Sequence, residues 1–408
     1  MAKIISRLCY RFKLRTISPL SIGGNYTELT DHDLIRYGNS DEIFITSSSI
    51  SGCFFTKDKV FDNYFDINHY GNSRDNLDSE ASCLFVSDGL FEEKCITSTR
   101  DGIRLGYEGE EYKQTLKGAK FSNEIIENNQ DWSFYITITI TEKNKDRDYD
   151  SVIKTIASRI ENGIYRIGYK QNRGYGQQKV LQVYKQEFNK DNYIEYLSFD
   201  GYKMNREEFD YLVDEKIDDI TLTMPVKAIS PFCIKNYACI KHMPDYEQIR
   251  GHSLDNKELA AIPATSLNGA IRSTVTRIAA SLNKQELLEN ENFDKYILDE
   301  IYLPGNFLIQ TRNSIDRFSA STINGALYTE SIFIPDENNE ANIKIRFKHE
   351  DLELVALFYL ALSDIDNGYT TIGGNEAIGR GFFTKIGDIE VSGKYSKEQI
   401  INKLKEVL

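Results

Sequence analysis

Two short acidic stretches carry the residue types that acid–base and phosphate chemistry require. They comprise Asp31, His32, Asp33 and Arg36 in one place and His242, Asp245, Glu247 and Arg250 in another. A carboxylate can take a proton from a hydroxyl or hold a divalent cation, and a nearby arginine can stabilise charge on a phosphate. Solvated acidic loops use the same residue types, so the types alone leave both interpretations open.

Two glycine-rich stretches carry the residue types that contact a phosphodiester backbone. The first, from Ile167 to Val180, contains Lys170 and Arg173 as cations and Tyr175 as a stacking face. The second, from Ile372 to Lys385, places Arg380 between two glycines. A single glycine-rich loop is more often a plain turn. Its recurrence strengthens the prediction that these loops bind a ligand.

The elements around these stretches also occur twice. Apolar and basic residues alternate from Arg7 to Arg15, which predicts a strand, and the run closes at Ser18-Pro19. A second alternating run begins at Ile220 and closes at Ser230-Pro231. Both halves then contain the same five landmarks in the same order: an acidic stretch, a serine-rich helix start, a Thr-Arg pair, a Gly-Ala pair and a glycine loop. Chance similarity would not keep this order, so we predict a duplicated domain.

The order of predicted elements in each half is strand, helix, strands, helix, glycine loop and strand. Predicted helix starts lie at Ser48 or Ser49 and at Thr265 or Ser266. This order favours an α+β fold made of two tandem ferredoxin-like (RRM-like) domains. We predict a first domain at 1–185 with an insertion around 61–125, a linker at 186–218 and a second domain at 219–408.

Composition limits the classes of function. The formal net charge of −13 argues against a nonspecific nucleic-acid binder but permits RNA in a locally basic groove. The six cysteines form no Cys-x-x-Cys pair and suggest reduced thiols. No apolar run approaches the length of a membrane span, and the start lacks the pattern of a signal peptide, so we expect a cytoplasmic protein.

The chain resembles the RAMP superfamily of CRISPR-associated proteins, and within it the backbone (group-seven) subunits of type III effectors. The resemblance covers nearly the whole chain as a tandem fusion. It rests on the Ser-Pro strand ends, the serine and glycine helix starts, Ser87-Asp88, the Arg312 to Arg317 element and the two glycine loops. It implies RRM-like domains that hold CRISPR RNA and cut the paired target RNA with one loop aspartate per domain.

By the same resemblance, the pattern Asp-x-x-x-Ile-Arg falls on Asp31 and Asp245 as catalytic residues, with Mg²⁺ or Mn²⁺ as a suspected cofactor at either. The residues implicated in RNA contact are Ser48, Ser49, Lys170, Arg173, Tyr175, Ser266, Arg272, Arg312 and Arg380. The first half departs from the pattern at Ser51-Gly52-Cys53, where the family has a basic residue after the glycine. It also has Ile103-Arg104-Leu105 in place of the Ile-Asp-Arg ending.

Two further groups of residues have open interpretations. Cys233, Cys239, His242 and His252 could form a zinc site, but their spacing is unusual and the first half has no equivalent, so buried cysteines are favoured. The basic strand face of Arg7, Arg11, Lys13 and Arg15 suits phosphate tracking and cross-strand ion pairing equally.

The leading hypothesis is a type III backbone subunit that binds CRISPR RNA and cleaves complementary RNA as a metal-dependent endoribonuclease, alongside other effector subunits and without a membrane partner. A second is a noncatalytic RNA-binding scaffold of the same fold. A third is a guide-processing RAMP endoribonuclease, against which two complete glycine loops speak. A fourth is a ferredoxin-like interaction protein without a nucleic-acid role, which the acidic balance would suit.

Overall fold

The computed structural model describes residues 3–24, 31–38, 40–55, 82–106, 114–212, 219–236, 244–255, 257–288, 296–348 and 351–407. Contacts divide the chain into two units. The first is Met1–Gln171 with Tyr175–Lys216, and the second is Asn172–Gly174 with Ile217–Leu408. Both contain helices and sheets, as the predicted α+β class requires. Residues 61–81 of the predicted insertion lie outside the described residues.

The first unit is built on an antiparallel sheet. Its strands are β1 (Ile4–Thr16), β2 (Phe44–Ile45), β3 (Leu84–Val86), β4 (Gly89–Phe91), β5 (Thr97–Gly106), β6 (Gln114–Ile126), β7 (Asp131–Thr141) and β8 (Gln178–Phe188). Its helices are α1 (Ser47–Phe55), α2 (Tyr149–Glu161) and α3 (Tyr193–Leu197). Helices α1 and α2 pack in the main core on one face of the sheet, and α3 lies in a separate cluster with Cys9 and Phe188. The sheet order is β2-β4-β7-β1-β8, with β3 also paired to β7, and β5 and β6 form a separate hairpin.

The alternation seen in the sequence explains how this sheet packs. Tyr10, Phe12 and Leu14 of β1 are fully buried, as are Phe134 and Ile136 of the neighbouring strand β7. Side chains on one face of two paired strands must share one environment, because successive residues point to opposite faces. Helix α2 buries its apolar stripe in the same core, and the side chain of Asp148 caps its first turn. The strand and the helix predicted here are confirmed.

Residues 186–212 pack on the first unit rather than extending away from it. Tyr202 donates a hydrogen bond from its hydroxyl to the carbonyl of Asp88 at 2.8 Å, and the amide of Phe209 donates to Val183 at 2.8 Å. A short 3₁₀ helix, Gly201–Lys203, lies against the sheet residue Tyr135. Part of the segment predicted as a linker, around residues 196–204, therefore covers the sheet face that points away from the main core, whereas Phe209 and Tyr211 pack against that core.

The second unit contains a similar central sheet and two smaller ones. Its strands are β9 (Ile220–Ala228), β10 (Lys235–Asn236), β11 (Tyr246–Gln248), β12 (Arg250–His252), β13 (Glu258–Ile262), β14 (Tyr296–Leu298), β15 (Ile301–Leu303), β16 (Gly305–Ile315), β17 (Thr322–Pro335), β18 (Glu340–Phe347), β19 (Phe383–Lys385) and β20 (Glu390–Ser392). Its helices are α4 (Ala264–Ser281), α5 (Leu352–Asp366) and α6 (Lys397–Val407). The central order is β14-β18-β9-β19, and the others are β10-β11-β17-β16 and β12-β13-β15.

The core of the second unit follows from the same periodicities. Leu222, Met224 and Val226 of β9 are fully buried, and so are Leu267 and Ile271 of α4. None of the helices within the described residues is both long and apolar enough to cross a bilayer.

The two units repeat the same hydrogen bonds between the first strand's end and the long hairpin. Leu20 and Ile126 bond to each other through their backbones at 2.9 and 2.8 Å, and Phe232 and Phe333 do so at 3.2 and 3.0 Å. Each pair joins the residue after the Ser-Pro dipeptide to the second hairpin strand, β6 or β17. Landmarks that align in the sequence therefore occupy equivalent places in space.

The helix starts differ slightly from those predicted. Helix α1 begins at Ser47, and Thr46 takes the capping place that we predicted for Ser48 or Ser49: its hydroxyl accepts from the amide of Ser49 at 3.3 Å. Helix α4 begins at Ala264 after Pro263, without a side-chain cap bond, so neither Thr265 nor Ser266 is the cap. Proline is tolerated there because a helix leaves its first amides unpaired.

Candidate nucleic-acid interface

The two candidate aspartates are held in the same way. The amide of Asp31 donates to the carbonyl of Ser122 at 2.9 Å, and Asp31 Oδ2 accepts from the amide of Ser122 at 2.7 Å. The amide of Asp245 donates to Thr329 at 2.8 Å, and Asp245 Oδ2 accepts from the amide of Thr329 at 2.7 Å. Both aspartates are exposed. Each clamp uses one carboxylate oxygen, and among the described residues no hydrogen bond engages the other.

In the first unit, the glycine loop reaches the strand that clamps Asp31. Lys170 Nζ lies 4.8 Å from the ring centroid of Phe121, the residue before the clamping serine. The ring of Tyr169 lies 6.0 Å from that of His32, the residue after Asp31. Lys170 has a φ of +60°, which is uncommon for a residue with a side chain. The fold therefore brings a cation, an exposed tyrosine and the acidic loop together on one surface.

In the second unit, a buried carboxylate joins the corresponding segments. Glu330 on β17 is fully buried and accepts bonds from Arg380 at 3.0 and 2.5 Å, Tyr246 at 2.6 Å and Gln310 at 2.6 Å. Arg312 Nη1 lies 4.0 Å from Glu330 Oε1. Arg380 comes from the glycine loop, and Gln310 comes from the neighbouring strand β16. Three separate segments therefore converge on one side chain, which sequence reasoning did not identify.

The charge state of Glu330 follows from these partners. Burial by itself would raise its pKa, but the hydrogen bonds from Arg380 and Tyr246 outweigh burial and lower the pKa to about 2. Glu330 directly follows Thr329, which clamps Asp245, and Tyr246 directly follows Asp245. An ionised Glu330 thus connects the glycine loop to both sides of the clamp.

The equivalent positions of the first unit carry different residue types. His32 pairs with Asn123 in a parallel bridge, as Tyr246 pairs with Glu330. Tyr175 stands between two glycines, where the second loop has its arginine. It is buried, so its ring is not a free stacking face, and Tyr169, 55% exposed, is the accessible ring of that loop.

The arginines that follow the two aspartates are engaged with carboxylates. Arg36 pairs with Glu124, which also accepts from the backbone amide of Leu34. Arg250 pairs with Glu258 and lies 3.6 Å from Glu247. Each guanidinium would therefore have to exchange a carboxylate for a phosphate before it could contact RNA.

The predicted contact residues at the first helix start lie on a polar turn. Ser48 is exposed and Ser49 is half-buried. The carboxylate of Asp88 accepts from the amide of Ser47 at 2.7 Å and so occupies part of the start of α1. A phosphate there would meet this negative charge, and the electrostatics thus weigh against the helix start as an anion site in the first unit.

The remaining predicted contact residues are placed as follows. Ser266 is half-buried in the first turn of α4, and Arg272 is exposed two turns later. Arg173 is exposed in a short segment that groups with the second unit. Arg312 is half-buried and Arg380 is buried, both beside Glu330. Direct RNA contact by these residues stays a prediction.

Ion pairing occupies most of the basic face of β1. Arg15 binds Asp131 through two nitrogens, at 2.5 and 2.9 Å. Lys13 and Arg11 lie 3.0 and 3.6 Å from Glu92. Cross-strand pairing is therefore the arrangement here, and these three cations share two carboxylates, those of Asp131 and Glu92.

Each aspartate offers at most one further carboxylate oxygen to a cation. Among the described residues there is no group of three or more His, Cys, Asp or Glu side chains that could hold a metal ion. One free carboxylate oxygen fits Mg²⁺, which keeps several waters and is often bound by one or two carboxylates with substrate phosphates. Of the residues considered for zinc, Cys239 and His242 lie outside the described residues. Burial raises the pKa of the Cys233 thiol to about 12.

Comparison with known proteins supports the relationship suggested by the sequence for part of the chain. The family model of the RAMP superfamily matches residues 226–384. This range spans β9 to β19, and so includes the Asp245 clamp, the Glu330 cluster and the second glycine loop. No curated protein matches the chain.

Proposed function

We propose that the chain is an RNA-binding backbone subunit of a type III CRISPR effector complex, and that it cleaves complementary target RNA through Asp31, Asp245 or both. In this proposal, residues 1–185 and 219–408 are two ferredoxin-like RAMP domains joined by residues 186–218. The RAMP match of the second unit and the central strand position of β1 and β9 in their sheets support it.

One observation carries the proposal. In both units the acidic loop and the glycine loop meet at the second strand of the long hairpin, at residues 121–123 and 328–330. A solvated acidic loop has no need of a matching aspartate clamp or an adjacent glycine loop. Two copies of the arrangement on one chain suit a ligand that passes several sites in succession, as a strand of RNA does.

The chemistry assigned to each aspartate is proton transfer at a ribose hydroxyl. The clamp holds one carboxylate oxygen, and the other is the atom that would take the proton. A bound Mg²⁺ or Mn²⁺ would supply a positive charge for the phosphate. Lys170 in the first unit contributes a further cation near the clamp.

CRISPR RNA, its complementary target and other effector subunits are the proposed partners, in a cytoplasmic complex without a membrane partner. The proposed RNA contacts are those predicted from the sequence: Ser48, Ser49, Lys170, Arg173, Tyr175, Ser266, Arg272, Arg312 and Arg380. The buried residues of this set, Tyr175 and Arg380, would act by holding the loops in shape.

The test compares asparagine and alanine at the two aspartates. Asparagine keeps an oxygen that can accept the clamp bond but cannot take the proton, whereas alanine removes both. The complex is assembled with a guide and given labelled complementary RNA with Mg²⁺. At each aspartate that cleaves, the asparagine variant (Asp31→Asn or Asp245→Asn) is expected to lower the rate of cleavage at its own position by about 100-fold or more, while RNA affinity is kept. Asp255→Asn, on an exposed turn, is the matched control.

A noncatalytic scaffold is the second candidate, because the backbone clamp is itself a structural role for each aspartate. Normal cleavage by both single variants and by the double variant would reject the enzymatic proposal and favour this one. Cleavage of repeat RNA by the protein alone would instead favour a guide-processing enzyme.

A further inference from the structure

The first unit has a pocket on the sheet face that points away from its main core. The pocket has a volume of about 380 Å³. The strands contribute Arg7, Phe85 and Tyr135 to its walls, and the segment after β8 contributes Tyr196, Phe199 and Gly201. None of these residues belongs to the surface around Asp31, so the pocket is a separate feature of the unit.

The wall formed by the segment after β8 is tightly fitted to the sheet. A Cβ added to Gly201 would lie 2.5 Å from the ring of Tyr135, so only glycine permits this approach. Tyr202 contacts the same ring edge-on, at 5.0 Å between centroids, and its hydroxyl is bonded to the carbonyl of Asp88. The pocket is therefore held in shape by packing and a hydrogen bond.

The chemistry of the walls is aromatic and cationic. Phe85 is 57% exposed, and its ring lies 6.3 Å from that of Tyr135. The guanidinium of Arg7 lies 4.6 Å from the ring centroid of Tyr196, whereas the other three cations of β1 are paired with carboxylates. Hydroxyls of Thr137 and Thr139 add hydrogen-bonding groups.

Charge and size narrow the class of ligand. None of the described residues lining the pocket carries a carboxylate, although the chain as a whole has a net charge of −13. Ligand pockets generally range from about 300 to 1,000 Å³, so this one suits a small planar group. Aromatic faces and arginine planes stack on unpaired bases, and arginine also attracts phosphate.

We propose that this pocket binds one unpaired nucleobase with its phosphate, either within a single strand of RNA or as a free nucleotide. Duplex RNA does not fit, because its bases are stacked and paired and cannot enter a pocket of this size. The proposal is independent of cleavage at Asp31 or Asp245.

The experiment uses the full-length protein and two probes, 8-azido-AMP for photolabelling and a fluorescent ten-nucleotide oligo(A). Peptides containing Phe85, Tyr135 or Tyr196 are expected to carry the label. Phe85→Ala should weaken binding of AMP by about 5- to 150-fold, the range measured for loss of one base–aromatic stack. Tyr193→Ala is the matched control, because Tyr193 is 59% exposed on the same segment but does not line the pocket.

Competition then identifies the source of the base. Displacement of the photolabel by single-stranded oligo(A), but not by its duplex, assigns the pocket to an RNA strand. A label displaced by AMP alone assigns it to a free nucleotide. Absence of the 8-azido-AMP label from these peptides, or equal weakening of binding by Phe85→Ala and Tyr193→Ala, overturns the proposal. RNA binding elsewhere on the chain would survive that result, so the two proposals fail separately.

Discussion

At the scale of single residues, the candidate interface depends on charges whose partners lie far away in the sequence. Glu330 and Arg380 form a buried pair, and both are nearly inaccessible to solvent. Removing one member of a buried pair is costly because the other charge is left without compensation. The pair therefore holds the glycine loop against the strand that clamps Asp245.

Glu330→Gln is expected to lower the free energy of unfolding by about 3–5 kcal/mol, because Arg380 would keep a buried charge without a counter-ion. Urea denaturation at pH 7 measures this. Arg312→Gln is the matched control and should cost less than about 1 kcal/mol, since Arg312 is half-buried and 4.0 Å from Glu330. Equal losses of unfolding free energy in the two variants would contradict the assignment of Glu330 as the counter-ion of buried Arg380.

The stability contributed by this pair should depend on pH in one direction. Because the folded-state pKa of Glu330 is lowered from 4.5 to about 2, its contribution is present above 4.5 and is lost as the pH falls towards 2. The difference in unfolding free energy between the wild type and Glu330→Gln should shrink by roughly 3 kcal/mol over that range. Parallel plots of unfolding free energy against pH for the wild type and Glu330→Gln would show that Glu330 is not the titrating group.

At the scale of elements, each glycine loop is shaped by a close approach of backbone to backbone. A Cβ on Gly176 would lie 2.0 Å from the carbonyl oxygen of Ile167, and one on Gly381 would lie 2.4 Å from that of Ile372. Both glycines have positive φ, +80° and +78°. The loops therefore need glycine for steric and conformational reasons alike.

Gly176→Ala and Gly381→Ala are each expected to destabilise the protein by more than about 1 kcal/mol, through backbone strain and steric clash. Thermal unfolding monitored by circular dichroism measures this. Gly269→Ala is the opposite control: Gly269 lies within α4 with nothing within 4 Å of its added Cβ, so alanine should stabilise by about 0.5–1 kcal/mol. Unchanged stability in both Gly176→Ala and Gly381→Ala would contradict the conclusion that the two loops need glycine.

At the scale of the whole molecule, the proposed RNA binding by a chain with a net charge of −13 requires local groups of cations. Most cations of β1 and the arginines after the acidic stretches are already paired with carboxylates. The number of phosphates neutralised should therefore be small, and stacking should carry a larger share of affinity.

The salt dependence of RNA binding tests this view. Lys170→Gln is expected to reduce the slope of log affinity against log salt concentration by about 0.7, the value for one phosphate contact on a single strand. Lys403→Gln is the control, because Lys403 lies on α6 and pairs with Glu406. Fluorescence polarisation with labelled RNA between low and moderate salt gives both slopes. Identical slopes for wild type and Lys170→Gln would exclude a phosphate contact there.

Much of the element pattern was determined by the sequence. The alternation along β1 and β9 predicted those strands, because periodicity reports directly which face is buried. The order of repeated landmarks likewise indicated that Asp31 and Asp245 occupy equivalent loops, and the same backbone clamp is present at both.

Only the tertiary structure decided which charges are free and which surfaces are enclosed. Arg380 and Tyr175 looked like contact residues in the sequence but are buried, and the partner of Arg380, Glu330, lies on a strand that is distant along the chain. The same holds for Glu330 and for the pocket beside Phe85, whose walls come from widely separated segments. A local pattern of residues reports which face of an element is buried, whereas the partner met on that face depends on how the strands are ordered in space.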